Sequence, residues 1–280
     1  MKMVDTHQHL WDLKRFHYSW CAKIPKLNRS FLIGDYRKAA RDAGIVKTVF
    51  VECDVDDPQQ LEEARAIQSL ADRNPLIAGI IASGRPEQND FADHLRELIR
   101  LPKLKGLRRV LHVAPDEISK TPLFADHVRL LARHDLTFDL CVLARQLPLA
   151  ISLVKKCPRV RFVLDHCGVP DVKGRAFDPW RENIRRLAEL PNVVCKVSGL
   201  VAYADPAKWR TDDLRPWVEH VLEHFGWKRV MWGSDWPVCT LSATLRQWLN
   251  AALELTAGES KEHRRMFFHD NAERIYRLKP

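Results

Sequence analysis

No stretch of the 280-residue chain reaches the roughly eighteen consecutive apolar residues of a membrane span. The opening run Met1-Lys2-Met3-Val4-Asp5-Thr6-His7 lacks the apolar core of a secretory signal. No Cys-x-x-Cys occurs; the seven cysteines are odd in number, and Cys53, Cys141 and Cys195 sit in apolar runs. Reduced, buried thiols of a cytoplasmic protein are expected, rather than a disulfide framework. There is no basic tail and no zinc-finger spacing, although the net charge is +9. The arginines of Arg37-Lys38-Arg41, Arg181-Arg185-Arg186 and Arg264-Arg265 fall in amphipathic helical patterns among acidic residues, so no nucleic-acid partner is expected. Nor is there a linker, a repeat or a low-complexity segment. With 46% hydrophobic and 29% charged residues, the chain reads as one soluble globular domain over residues 1–280.

What is present is an alternation. Eight short apolar or β-branched runs stand out: Met3–Leu10, Lys47–Cys53, Leu76–Ser83, Leu104–His112, Thr137–Val142, Val160–His166, Asn192–Ser198 and Arg229–Asp235. Longer segments of helical period separate them; Leu61, Ala64, Ile67, Leu70 and Ala71 form one stripe. Asp57-Pro58-Gln59-Gln60 reads as that helix's start, with Asp57 at the N-cap, and Asp178-Pro179 and Thr121-Pro122 repeat the pattern. Strands alternating with helices imply parallel pairing through right-handed crossovers. A doubly wound open sheet would want a glycine-rich turn after the first strand, and His7-Gln8-His9-Leu10-Trp11 has none. An α/β fold of the (β/α)8 TIM-barrel type is therefore expected, with irregular insertions at residues 12–30 and 202–211.

In such a barrel the C-terminal strand ends build the active site. Here those ends carry His7 and His9, Glu52, Arg108, Arg109 and His112, Asp139, Asp165 and His166, Lys196 and Ser198, and Asp235. Ionisable groups at nearly every strand end are hard to explain as packing. His7-x-His9 places two imidazoles on one strand face, able to clamp a divalent ion or substrate oxygens; two solvent-facing histidines are the plainer reading. Asp235, after Trp232-Gly233-Ser234, is a general base or metal ligand, or else a turn residue before Pro237. Strand alternation allows only one of Asp165 and His166 to point inward; with His166 inward, Asp165 faces outward in a capping role. One of Arg108 and Arg109 enters the lumen, where its fork suits a carboxylate or lactone oxygen. Lys196 either enters the lumen or snorkels outward. Glu52 is the better placed of Glu52 and Asp139 to complete a metal site. Trp11, Trp20 and Trp236 flank the rim, for sugar-ring stacking or for packing, with His112 and Ser198 as hydrogen-bonding groups.

Six ordered motifs carry a resemblance that spans Asp5 to Tyr276. They are Asp5-Thr6-His7-Gln8-His9-Leu10-Trp11, Gly106-Leu107-Arg108, Leu164-Asp165-His166-Cys167-Gly168-Val169-Pro170, Lys196-Val197-Ser198-Gly199-Leu200, Trp232-Gly233-Ser234-Asp235-Trp236-Pro237 and Asn271-Ala272-Glu273-Arg274-Ile275-Tyr276. Together they resemble the lactonase branch of the amidohydrolase superfamily, which includes sugar-acid lactonases and a pyrone-dicarboxylate hydrolase. The resemblance implies a distorted (β/α)8 barrel and hydrolysis of a lactone ring, in sugar catabolism. It implies Asp235 as the residue that activates water, with His7, His9, His166 and Arg108 around the substrate. The seventh strand end has Lys196 and Ser198 where binuclear relatives carry a further histidine. That points to no cofactor or to one divalent ion, zinc by preference, on His7, His9, His166 and Asp235, with Glu52 as an additional candidate, and to weak metal dependence. A metal-dependent decarboxylase or amide hydrolase on the same barrel, and a non-catalytic binding protein, are the competing expectations; the oligomeric state is not legible.

Overall fold

The computed structural model describes residues 1–278. Eight parallel strands form one sheet in the order of the chain: β1 (Met3–Gln8), β2 (Ile45–Val51), β3 (Ile77–Ser83), β4 (Leu104–Val110), β5 (Thr137–Cys141), β6 (Arg161–Leu164), β7 (Val193–Val197) and β8 (Val230–Trp232). Outside them pack α1 (Ile33–Ala39), α2 (Gln60–Arg73), α3 (Phe91–Leu98), α4 (Pro122–Leu130), α5 (Leu147–Lys156), α6 (Trp180–Ala188), α7 (Thr211–Phe225) and α8 (Leu245–Leu255). The chain ends in α9 (Lys261–Arg265) and α10 (Asn271–Tyr276), joined by a π turn. This is the expected (β/α)8 barrel, and each of the eight apolar runs overlaps one strand. No helix among the described residues is long and apolar enough to cross a membrane.

Local signals fix most element starts, with two corrections. Thr121 caps α4 as expected, its hydroxyl accepting from Phe124 N. At Asp57-Pro58 and Asp178-Pro179, however, the helices begin only at Gln60 and Trp180, and neither aspartate caps through its side chain. Seven of the strands also stop one to three residues before the ends of the apolar runs, β3 alone running to its end at Ser83. His9, Glu52, His166, Ser198 and Asp235 consequently lie just past the last paired residues, on loops free to aim them at the mouth.

Two apolar layers hold the barrel. The larger fills the space between strands and helices. The smaller fills the floor of the lumen: Val4, Val49, Val51, Ile81, Val163, Val194 and Met231 meet Ala272, Ile275 and Tyr276 of α10. Polar links seat α10 under the strand starts. Asn271 Nδ2 donates to Trp227 O at 2.6 Å and Val230 O at 2.7 Å, and Lys47 pairs with Glu273 at 2.7 Å.

The seam between β8 and β1 sets the position of His7. Thr6 Oγ1 donates to Trp232 O at 2.6 Å, Ser234 N to Asp5 Oδ1 at 2.7 Å, and Asp235 N to His7 O at 2.8 Å. Gly233 permits this approach: a Cβ there would stand 2.7 Å from His7 Cβ and 3.1 Å from His7 N. Gly233→Ala should therefore force the seam open and cost roughly 1–3 kcal/mol. Urea unfolding should show a lower midpoint at unchanged slope; an unshifted midpoint would show that the seam has slack.

Candidate active site

Three acceptor atoms converge at the mouth. His7 Nε2 lies 3.2 Å from His9 Nε2 and 3.8 Å from Asp235 Oδ1, and His9 Nε2 lies 3.4 Å from Asp235 Oδ1. Donors bound to one tetrahedral zinc stand roughly 3.3–3.5 Å apart, so the spacing suits a single ion. The tautomers suit it as well. His9 Nδ1 is 2.8 Å from Val51 O, which can only accept, so His9 Nε2 carries a lone pair. His7 Nδ1 faces the Asp165 carboxylate at 3.4 Å, which leaves the His7 Nε2 lone pair toward Asp235. His166 forms a second grouping with two of them: ligand atoms of His7, His166 and Asp235 all lie within 4.8 Å of one another. The residues present thus fit one divalent ion. Arg108 Nη1, 3.3 Å from His7 Nε2, is a competing positive charge for the same lone pair.

The loop after β6 departs from strand geometry. His166 (φ 53°), Cys167 (φ 55°), Gly168 (φ 69°) and Val169 (φ 48°) are all left-handed. Trp180 Nε1 donates to Cys167 O at 2.7 Å and holds the turn. Its consequence overturns the alternation argument: both Asp165 and His166 enter the lumen. Asp165 is fully buried and caps nothing outside the barrel. It contacts Lys196 Nζ at 3.1 Å and Arg108 Nη1 at 3.4 Å, as well as His7. His166 Nδ1 lies 2.9 Å from Ser198 Oγ. Gly199, at φ +67°, passes so close that a Cβ would fall 2.5 Å from His166 Nδ1.

Below the mouth lies a buried ion network. Lys196 has no exposed surface and does not snorkel; its Nζ donates to Asp139 Oδ2 at 2.6 Å. Asp139 also accepts from Thr137 Oγ1 at 3.1 Å and from Tyr276 OH at 3.4 Å. Arg108 turns inward, its Nε donating to Glu52 Oε1 and its Nη2 to Glu52 O, each at 2.6 Å. Arg109 stays outside and pairs with Glu87 at 2.8 Å. Glu52 is thereby committed: Oε1 to Arg108 and Oε2 to Asp54 N at 2.7 Å, away from the convergent donors.

Burial and pairing compete in this network. Burial pushes the Asp165 carboxyl up, but Lys196 and His7 outweigh it and hold it well below the usual range. Asp139 is pushed by burial, against Lys196, to about 6. Burial lowers His7 and His166, so both are neutral near pH 7. Burial, with Arg108 next, lowers His112 to about 4.

The rim residues divide. His112, half-buried, contacts Cys141 Sγ at 3.3 Å and lies within the field of Arg108 and His166. Trp11 is spent on packing: its ring stands edge-on to Trp20 at 5.3 Å and Phe31 at 5.0 Å, and its indole N–H donates to Arg29 O. Trp236 packs on Phe31 and Tyr36 in the same way, so neither offers a stacking face like that of an open rim tryptophan. Tyr203, which the sequence reading passed over, sits in the short turn Leu200–Tyr203 after β7. Burial, with the charge of Asp235 next, raises its phenol.

The amidohydrolase family profile matches residues 4–278. The chain belongs to the amidohydrolase family. Among this amidohydrolase's relatives is the L-fucono-1,5-lactonase of Burkholderia ambifaria, 32% identical over 85% of this chain and 81% of the relative. The Burkholderia multivorans L-fucono-1,5-lactonase is also 32% identical, over 86% of this chain and 84% of its own. An amidohydrolase crystal structure from Burkholderia multivorans with bound zinc superposes with a TM-score of 0.89, at 29% identity and full coverage of both chains.

Lys196→Met in this amidohydrolase would leave two buried carboxylates without their shared cation, and removing one partner of a buried pair costs about 3–5 kcal/mol. The deficit should grow from pH 5 to pH 8. Without Lys196 both carboxyls rise, Asp139 beyond the value of about 6 that it has beside the lysine, so the variant goes on losing stability at pH values where the parent no longer does. Adding Asp139→Asn should recover part of the loss; denaturant unfolding at the two pH values checks both, and a pH-independent deficit would contradict the assignment.

Proposed function

We propose that the chain hydrolyses the ring ester of a sugar-acid lactone, with Asp235 as the base that takes a proton from water. The observation that carries this reading is the meeting of Asp235 Oδ1 with His7 Nε2 and His9 Nε2 at the mouth. The named activity of the two Burkholderia relatives supports the substrate class. Seven buried, unpaired cysteines support a cytoplasmic, reducing setting.

The chemistry follows from the residue types. Attacking water must lose a proton, and the departing ring oxygen must gain one. A single carboxylate serves both steps in turn, so Asp235 accepts the first proton and returns it. His166 and His112 are neutral near pH 7, and they can donate toward the developing oxyanion. Each such donor contributes roughly 10²–10³ in rate. A divalent ion on His7, His9, His166 and Asp235, zinc by donor type, would polarise the carbonyl when bound.

A pH-indicator hydrolysis screen over sugar-acid lactones tests the reaction. Asp235→Asn should keep the fold, checked by circular dichroism, and lower turnover by at least about a hundredfold; a folded, fully active variant removes Asp235 from the role. Chelator-treated protein should keep activity above that of Asp235→Asn, and added zinc should raise it. Activity falling to the Asp235→Asn level on chelation would make the ion obligatory.

A neutral or monoanionic lactone should be preferred over a dicarboxylate. The two cations of the network are already spent, Arg108 on Glu52 and Lys196 on Asp139 and Asp165. Each carboxylate of a dianion would want a cationic fork of its own. The surface excess of positive charge lies on helix faces, screened over about 8–10 Å. Comparing kcat/KM for L-fuconolactone and L-rhamnonolactone with pyrone dicarboxylate decides the point, and a tenfold or greater preference for the dicarboxylate reverses it.

A further inference from the structure

A second set of metal-ligating side chains lies on the outer helical layer, in the last two turns of α7. His220, Glu223 and His224 are spaced i, i+3 and i+4, which puts them on one helix face. Their ligand atoms all lie within 4.8 Å of one another, and the two imidazole centroids are 4.3 Å apart. The proton of His220 is assigned by a neighbour: its Nε2 lies 2.8 Å from the Arg181 carbonyl of α6, which can only accept. His220 Nδ1 therefore keeps its lone pair free, the arrangement in which a backbone carbonyl orients a metal-bound histidine. The Trp180 ring, 5.3 Å from that of His220, restricts the imidazole further. Glu182 of α6 lies within electrostatic reach of His224, and the carbonyl end of α7 adds partial negative charge.

We propose that His220, Glu223 and His224 bind one divalent transition-metal ion, zinc being the probe of choice, at a site independent of the barrel mouth. Two imidazoles and one carboxylate select zinc, copper or nickel over magnesium and calcium. Three protein ligands leave a fourth position for water. Because the Arg181 carbonyl orients one ligand, the ion couples the end of α7 to α6 and binds the folded chain in preference to the unfolded one.

The test is zinc stoichiometry and affinity, by calorimetry on full-length chain without a histidine tag. The double variant His220→Ala/His224→Ala should bind one zinc equivalent fewer than the parent and keep the parent kcat/KM. Asp235→Asn should retain the α7 site whatever becomes of the mouth, which separates this proposal from the lactonase reading. Glu223→Gln changes only an exposed residue and so guards against misfolding; it should weaken zinc at this site several-fold. Parent stoichiometry in the double variant, or parent affinity in Glu223→Gln, would overturn the proposal.

Discussion

The ammonium of Lys196, sealed in the lumen between Asp139 and Asp165, is the interaction on which the site depends. Removing these charges from water carries a penalty of several kcal/mol per ion, which only close pairing and further hydrogen bonds offset. The pairing has a directional consequence. Lys196 keeps Asp165 ionised, Asp165 faces His7 Nδ1, and His7 Nε2 is thereby turned toward Asp235. At the other end, Asp139 meets the Tyr276 hydroxyl of α10. A line of polar contacts thus runs from the C-terminal helix under the barrel to the proposed base at its mouth.

Backbone geometry supplies what strands alone cannot. A regular strand shows alternate residues to the lumen. The left-handed run from His166 to Val169 breaks that rule and delivers consecutive residues, Asp165 and His166, to one cavity. Asp235 is left-handed too, at φ 56°. Non-glycine residues in this region cost of order 1–3 kcal/mol each and persist where their surroundings over-determine them. Here Trp180 holds the β6 turn through Cys167 O, while Asp235 N donates to His7 O and Cys239 N donates to Asp235 O, each at 2.8 Å. Strain and the side chains proposed for catalysis coincide, and the barrel's packing sustains both.

The barrel was legible because eight β-branched runs alternate with helical stripes and the first turn lacks glycine. The mouth was legible because ionisable residues end apolar runs, as His7, His9, Arg108 and Asp235 do. Asp165 was misread for a specific reason: alternation presumes an extended chain, and nothing in Asp165-His166-Cys167 announces left-handed residues outside Gly168. Tyr203 lies in a short irregular turn with no periodicity to mark it. Its aromatic type after a lumen strand was the only available signal. Trp11 and Trp236 look the same in sequence whether they stack on a ligand or on Phe31. Asp-Pro pairs signal a nearby helix but do not fix its first residue, since Gln60 and Trp180 open the helices that Asp57 and Asp178 suggested.

Charge balance links the floor of the site to turnover under the proposed reaction. Glu52, Asp139, Asp165 and Asp235 pair with Arg108 and Lys196, and the four carboxylates outnumber these two paired cations when all are ionised and the histidines are neutral. Such a site favours a lactone of little negative charge, and hydrolysis of a neutral lactone adds one negative charge. The product carboxylate is therefore formed where the local field repels it, and in a cavity of low effective dielectric that repulsion is weakly screened. Arg108, whose Nη1 stands 3.3 Å from His7 Nε2, is the fixed positive charge nearest the convergent imidazoles and offsets part of that repulsion.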